Sequence, residues 1–130
     1  MIYLVDDNLK CIFCNIDNSR IVLESSLAYA IYDGFPVNKG HMLIISKQHF
    51  NNYFEADKKT KDELWNLIDK CKEILDIKYN PDGYNVGINC NESAGQTVMH
   101  LHIHLIPRYK GDIENPRGGV RGVIPDNQSY

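Results

Sequence analysis

His100-Leu-His-Ile-His104 alternates imidazole and branched aliphatic side chains without interruption. In a β-strand successive side chains point to opposite faces, so His100, His102 and His104 are expected on one face and Leu101, Ile103 and Leu105 on the other. A helix would scatter the same residues around its axis. At a rise of about 3.3 Å per residue, neighbouring imidazoles stand roughly 6.6 Å apart, a ladder suited to an anionic substrate several atoms long. The expectation is a sheet with one packing face and one chemical face.

Outward from this run the chain divides into short elements. Cys11 to Ile16 reads as a turn or helical piece, followed by apolar runs at Arg20 to Glu24 and Ala28 to Asp33 that suit a hairpin. Asp33-Gly34 breaks the second run, and a loop over Pro36 to Gly40 leads into a third strand, His41 to Ser46. From Asp57 to Ile77 the apolar residues Leu64, Leu67, Ile68, Cys71, Ile74 and Leu75 recur at three- and four-residue spacing, the stripe of an amphipathic helix. Thr60 with Glu63 offers a capping box, and Asp57 is an equally good N-cap. Asn80-Pro-Asp-Gly83 stops the helix, Tyr84 to Cys90 alternates as a strand, and Thr97 to Arg108 is expected to form the histidine strand. The tail from Gly111 to Tyr130 shows no periodicity and reads as ordered coil. Five strands with short connections and one long helix give an α+β fold, a mostly antiparallel sheet with one face covered by the helix.

With 130 residues, 43% hydrophobic and 24% charged, the chain is expected to form a single domain over residues 1–130. A formal charge of −3 disfavours a general nucleic-acid binder but permits a local site for a small polyanion. Met1 to Lys10 lacks the pattern of a signal peptide, and no segment approaches a membrane span. Four cysteines without a secretory signal are expected as thiols or metal thiolates in a reducing cytoplasm.

Three imidazoles at two-residue spacing suit a metal triad, a phosphate site built round a nucleophilic histidine, or a merely polar strand face. The regular alternation disfavours the last. A single ion also suits all three poorly, because ligands must converge to about 2.1 Å while residues i, i+2 and i+4 of one strand splay apart. Cys11-x-x-Cys14 alone fits two buried thiols, a redox pair or half of a zinc site. Asp33 in Asp-Gly fits ordinary turn chemistry, and Cys71 and Cys90 read as small core residues.

The run from Asn89 to Arg108, centred on Gln96-Thr-Val-Met-His100-Leu-His-Ile-His104-Leu-Ile-Pro-Arg108, resembles the signature of the histidine triad (HIT) superfamily of nucleotide hydrolases and transferases. The resemblance extends over Ala30 to His49, where Asp33, Gly40-His41, the apolar strand and His49 match the family's first half. It implies a HIT-like fold, with features of the zinc-containing bacterial type and of the Fhit and Hint branches. His102 would be the nucleophile, forming a covalent nucleotidyl-imidazole, with its other ring N–H directed to the carbonyl of His100. Gln96 and Thr97 would donate to phosphate oxygens, His104 would lie by the α-phosphate, and His41 would stand at the site's edge, where it or His104 could protonate a leaving group. Asp33 and Asn89 would lie by the nucleoside, Asp33 accepting from ribose hydroxyls. Cys11, Cys14, His49 and His100 would form a closed structural Zn2+ site that stiffens the strand presenting His102. Arg108, Arg117 and Arg121 would reach outer phosphates or remain solvated. The resemblance also implies a homodimer with its two sheets joined. It favours hydrolysis of dinucleoside polyphosphates, with purine nucleoside phosphoramidase activity or a non-catalytic zinc-stabilised nucleotide-binding adaptor as alternatives.

Overall fold

The computed structural model describes residues 10–130; the signal-peptide reading of Met1 to Lys10 falls on residues 1–9, outside that range. Five strands, β1 (Ile21–Glu24), β2 (Ala28–Tyr32), β3 (Met42–Ser46), β4 (Gly83–Gly87) and β5 (His102–Arg108), form one sheet in the order β1-β2-β3-β5-β4. Every neighbouring pair is antiparallel. A single long helix, α1 (Lys58–Tyr79), lies across β2 and β3. No helix among the described residues is long and apolar enough to cross a membrane.

The two faces of the sheet follow from alternation. Ala28, Ala30, Met42, Ile44, Leu101, Ile103 and Leu105 face α1 and pack against its buried stripe of Leu64, Leu67, Ile68, Cys71 and Leu75. Alanines at 28 and 30 leave room for the helix to approach the strands closely. The opposite face carries Tyr29, Ile31, Leu43 and Ile45, joined by Phe13 from the N-terminal turn. Pairing of β3 with β5 sets Ile45 against His102 and Leu43 against His104, so the histidines stand on this second face.

The helix begins at Asp57, whose carboxylate accepts from the Thr60 N–H, and ends at Asn80 in the left-handed conformation with φ 49°. The capping box is not used. Glu63 instead receives the Ser25 and Ser26 hydroxyls and the Leu27 N–H, fastening the β1–β2 turn to the helix. Two strands start elsewhere than the pattern suggests. β4 is already paired at Gly83 and finishes by Gly87, leaving the half-buried Cys90 beyond it in a loop rather than in a core strand. β5 starts only at His102, because Leu101 directs its N–H to Phe50 and His100 its own to Val98.

The tail is ordered by short 3-10 turns over Gly119–Val123 and Pro125–Asn127, the first of which lies along β4. Arg117 and Arg121 stack on the Tyr130 ring, and Arg121 also donates to the Gln128 and Asn127 carbonyls. Arg108 gives two donors to Asp112 and one to Asn85. None of the three lines the cleft that carries His102 and His104.

Gly40, with φ +88°, turns the chain into His41 where a Cβ would lie 2.9 Å from the Tyr79 ring and 3.2 Å from Pro107. Gly40→Ala is expected to lower stability in urea unfolding by more than about 1 kcal/mol, whereas Gly87→Ala, with open space around it, should be near neutral. Equal effects of the two substitutions would contradict the close approach at Gly40.

Candidate active site and metal centre

The main chain decides where the protons sit on the histidines. His102 Nδ1 lies 2.7 Å from the His100 carbonyl, which can only accept, so Nδ1 carries hydrogen and Nε2 keeps its lone pair. At His41 the arrangement is reversed. The Val37 N–H donates to His41 Nδ1 at 3.0 Å, which leaves the hydrogen of the neutral ring on Nε2. That N–H faces His104 Nδ1 at 2.9 Å, with an Asp33 carboxylate oxygen 3.5 Å away. His104 therefore accepts through Nδ1 and carries its own hydrogen on Nε2. The adjacent rings, centroids 5.2 Å apart, thus offer a nucleophilic lone pair from His102 and an N–H donor from His104.

Burial keeps these rings neutral. It pushes His104 down to about 4, with the charges of His102 and His41 adding to the shift and Asp33 opposing it. His41 and His102 are lowered by burial too, each partly held up by Asp33, and His102 also by the His100 carbonyl.

A cleft of about 410 Å³ opens beside His102 and His104. Phe13, Ile31 and Leu43 give it an apolar lining, and Asp33, Asn89 and Thr97 lie on its polar side. Phe13 also packs edge-on against His102, ring centroids 5.0 Å apart. Asp33 uses one oxygen to accept the Phe35 N–H at 2.8 Å, a turn contact compatible with the other oxygen facing the site. Gln96 departs from the expectation. It is buried, its amide oxygen accepts the Asn91 N–H at 2.7 Å, and its nitrogen donates to the Asn51 and Val98 carbonyls. Both donors are spent on the loop, so Gln96 shapes the wall that presents Thr97 and does not itself offer hydrogens to phosphate. Phe13 and the exposed Arg20 also border the cleft and carry no sequence signal beyond lying between the paired cysteines and at the start of β1.

Cys11, Cys14, His49 and His100 meet next to this site, their ligating atoms all within 4.8 Å of one another. Cys11 Sγ is 3.3 Å from His100 Nδ1, Cys14 Sγ is 3.2 Å from His49 Nδ1, and the two Nδ1 atoms are 3.2 Å apart. A tetrahedral Zn2+ with ordinary bond lengths requires about 3.3 Å between nitrogens and about 3.6 Å between sulfur and nitrogen, so the set fits such an ion. His100 Nε2 donates to the Ser46 carbonyl at 2.7 Å, which frees Nδ1 as ligand and fixes the ring. Burial brings His100 down to about 4, leaving it neutral. The Cys14 thiol is pushed up to about 11 by burial and by Cys11, a penalty on adjacent thiolates that a cation between them would reverse. Asp33, His41 and His104 also lie close together. With the Val37 N–H on one His41 nitrogen and a shared hydrogen between the rings, that group is a hydrogen-bond chain rather than a ligand set.

The sequence profile described as "HIT domain" matches residues 15–111. An uncharacterised HIT-like protein of Methanocaldococcus jannaschii is 41% identical over 123 residues, covering 89% of this chain and 93% of its own. A protein of Dictyostelium discoideum named bis(5′-adenosyl)-triphosphatase is 34% identical, with 77% of this chain and 67% of its own covered. Among solved structures, a hypothetical histidine triad nucleotide-binding protein of Sulfolobus tokodaii superposes with a TM-score of 0.73 at 38% identity, over 81% of this chain and 73% of its own. A Zn-bound histidine triad family protein of Mycobacterium smegmatis gives a TM-score of 0.74 at 28% identity, over 81% and 79% of the two chains.

Two outcomes are expected from this geometry. Elemental analysis of purified protein should find about one zinc per chain in the wild type and little in Cys14→Ser, and a chelator should lower the unfolding midpoint of the former only. Metal-free, fully folded wild type would contradict this. The second concerns acid. Folded His104 stays neutral to about 4 while the unfolded chain binds its proton near 6.5, so the unfolded state binds more protons in that window and stability falls as pH drops through it. His104→Gln should therefore gain on the wild type in urea unfolding as pH is lowered from 7.5 to 4.5; a constant difference would contradict the shift.

Proposed function

The chain belongs to the HIT family, and on that premise we propose that it is a nucleotide hydrolase cleaving dinucleoside polyphosphates at the α-phosphate through a nucleotide carried on His102. The observation that carries the proposal is the opposite polarity of His102 and His104, each fixed by hydrogen bonds that trace back to the main chain. His102 Nε2 attacks phosphorus, the bond to the bridging oxygen breaks, and its electron pair leaves with the departing nucleotide. The His104 N–H donates to a phosphoryl oxygen as charge moves onto it. Water then attacks the same phosphorus, the P–N bond breaks with its electron pair returning to Nε2, and one water proton stays on the product while the other passes to solvent, leaving His102 neutral; two in-line displacements give net retention.

Asp33 and Asn89 are assigned to the nucleoside, with Asp33 accepting from ribose hydroxyls, and the Thr97 hydroxyl to phosphate. His41 is a positioning residue, since its N–H is given to His104 and Asp33 rather than to the cleft. The zinc we assign to Cys11, Cys14, His49 and His100 is structural; when bound it supplies a cross-link that holds His100, whose carbonyl orients His102. The resemblance to a bis(5′-adenosyl)-triphosphatase supports the substrate class, and the Zn-bound neighbour supports the metal. The proposal takes the whole chain as a single cytoplasmic HIT domain working as a homodimer.

Intact-mass measurement after mixing with diadenosine or diguanosine tetraphosphate should show a nucleoside monophosphate adduct or its turnover in the wild type and neither in His102→Asn. His104→Gln should lose roughly 10²–10³ in kcat, the cost of a preorganised donor to developing charge. Absence of adduct and turnover, with nucleotide still bound, would leave a nucleotide-binding adaptor. Faster cleavage of an adenosine phosphoramidate would move the substrate to the P–N class.

A further inference from the structure

The cleft runs across the strands rather than along them. From His102 and His104 on β5 its lining passes over Leu43 on β3 and Ile31 on β2 to Arg20, immediately before β1. The reacting end is therefore at β5, the apolar floor lies under the middle, and a cation stands at the far end. The Arg20 side chain folds back over the sheet. One of its terminal nitrogens donates to the Tyr32 carbonyl at 3.1 Å and lies 3.8 Å from where a Cβ on Gly34 would be. That places the guanidinium beside β2, two strand spacings or roughly 10 Å from β5. These residues line one cleft, so a purine nucleotide with its phosphorus at His102 would lie over Ile31 and Leu43, beside Phe13, with its base directed toward Gly34 and this guanidinium.

The chemistry of that end is one-sided. A guanidinium has five N–H donors in a planar fork and no acceptor. Arg20 has one hydrogen bond from its side chain and no carboxylate at ion-pair distance among the described residues; the nearby Asp17 accepts from the Ser19 N–H. The Tyr32 carbonyl thus holds the group in place and leaves its other donors without a protein acceptor among the described residues. Guanine and hypoxanthine meet such a fork with two acceptors, O6 and N7, whereas adenine offers N7 beside a donating 6-amino group that opposes the guanidinium hydrogens.

We infer that Arg20 is a specificity-determining residue that reads the 6-oxo edge of the base, so that the cleft prefers guanine and hypoxanthine nucleotides to adenine ones. This rests on the nucleotide-binding role of the cleft and names the base that role selects.

Equilibrium binding of GMP, IMP and AMP to the wild type and to Arg20→Met tests it. The wild type should bind GMP and IMP about tenfold more tightly than AMP, and in Arg20→Met the three affinities should fall within about twofold of one another. Equal wild-type affinities for the three would overturn the inference while leaving the nucleotide site intact. GMP alone binding tightly, with IMP resembling AMP, would place the discrimination at the 2-amino group and equally overturn it. A preference retained in Arg20→Met would assign it to another residue. No binding of any nucleotide would remove the functional proposal and the inference together. The wild-type series stands whether or not the variant folds.

Discussion

His100 is the residue through which the cluster of Cys11, Cys14 and His49 is joined to His102. Its ring is held by the Ser46 carbonyl on one nitrogen and turned to Cys11, Cys14 and His49 with the other, while its own carbonyl accepts from His102. The chain makes all of these contacts with His100 outside the strand, which it enters at His102. A single backbone geometry therefore sets the ligand cluster on one side and the orientation of His102 on the other. Relaxing His100 would loosen both at once.

The proton pattern across the site derives from the same source. A carbonyl beside His102 and an amide beside His41 are fixed in polarity, unlike hydroxyls or carboxylates that can change role with pH. From these two main-chain groups the states of three rings follow, including His104, which touches neither directly. Burial favours the neutral rings, so charge and hydrogen bonding agree. Every buried side-chain nitrogen and oxygen among the described residues has a partner, which leaves few alternative arrangements for the network.

The sheet, the helix and the two-faced character of β5 were legible in the sequence because each rests on a period that burial enforces. Ile103 and Leu105 had to face the helix stripe, and His102 and His104 therefore the other way. What periodicity does not carry is the identity of hydrogen-bond partners. Nothing in the alternation reveals that Leu101 bonds to Phe50, so the pattern carries the strand back to Thr97 although pairing begins only at His102. The same gap explains Gln96: two adjacent polar residues at a loop's end look alike in sequence, and only the carbonyls of Asn51 and Val98 decide which is consumed by the loop. Cys90 likewise looked like core because the strand's end was not visible. Phe13 and Arg20 border the cleft through folding of the N-terminal segment over distant strands, a placement with no local signature.

The course of the cleft across the sheet has a mechanical side. β5 lies inside the sheet with a strand on either hand, while β1 is an edge strand paired on one side only. Opening free energies in a native protein are largest for doubly paired, buried elements and smallest at edges. The cleft is therefore stiffer at His102 and His104 than at its outer end. In the proposed role, a ligand held at β5 would exchange through a local fluctuation of β1 while His102 and His104 keep their hydrogen bonds, so exchange and chemistry would draw on separate degrees of freedom of one small sheet.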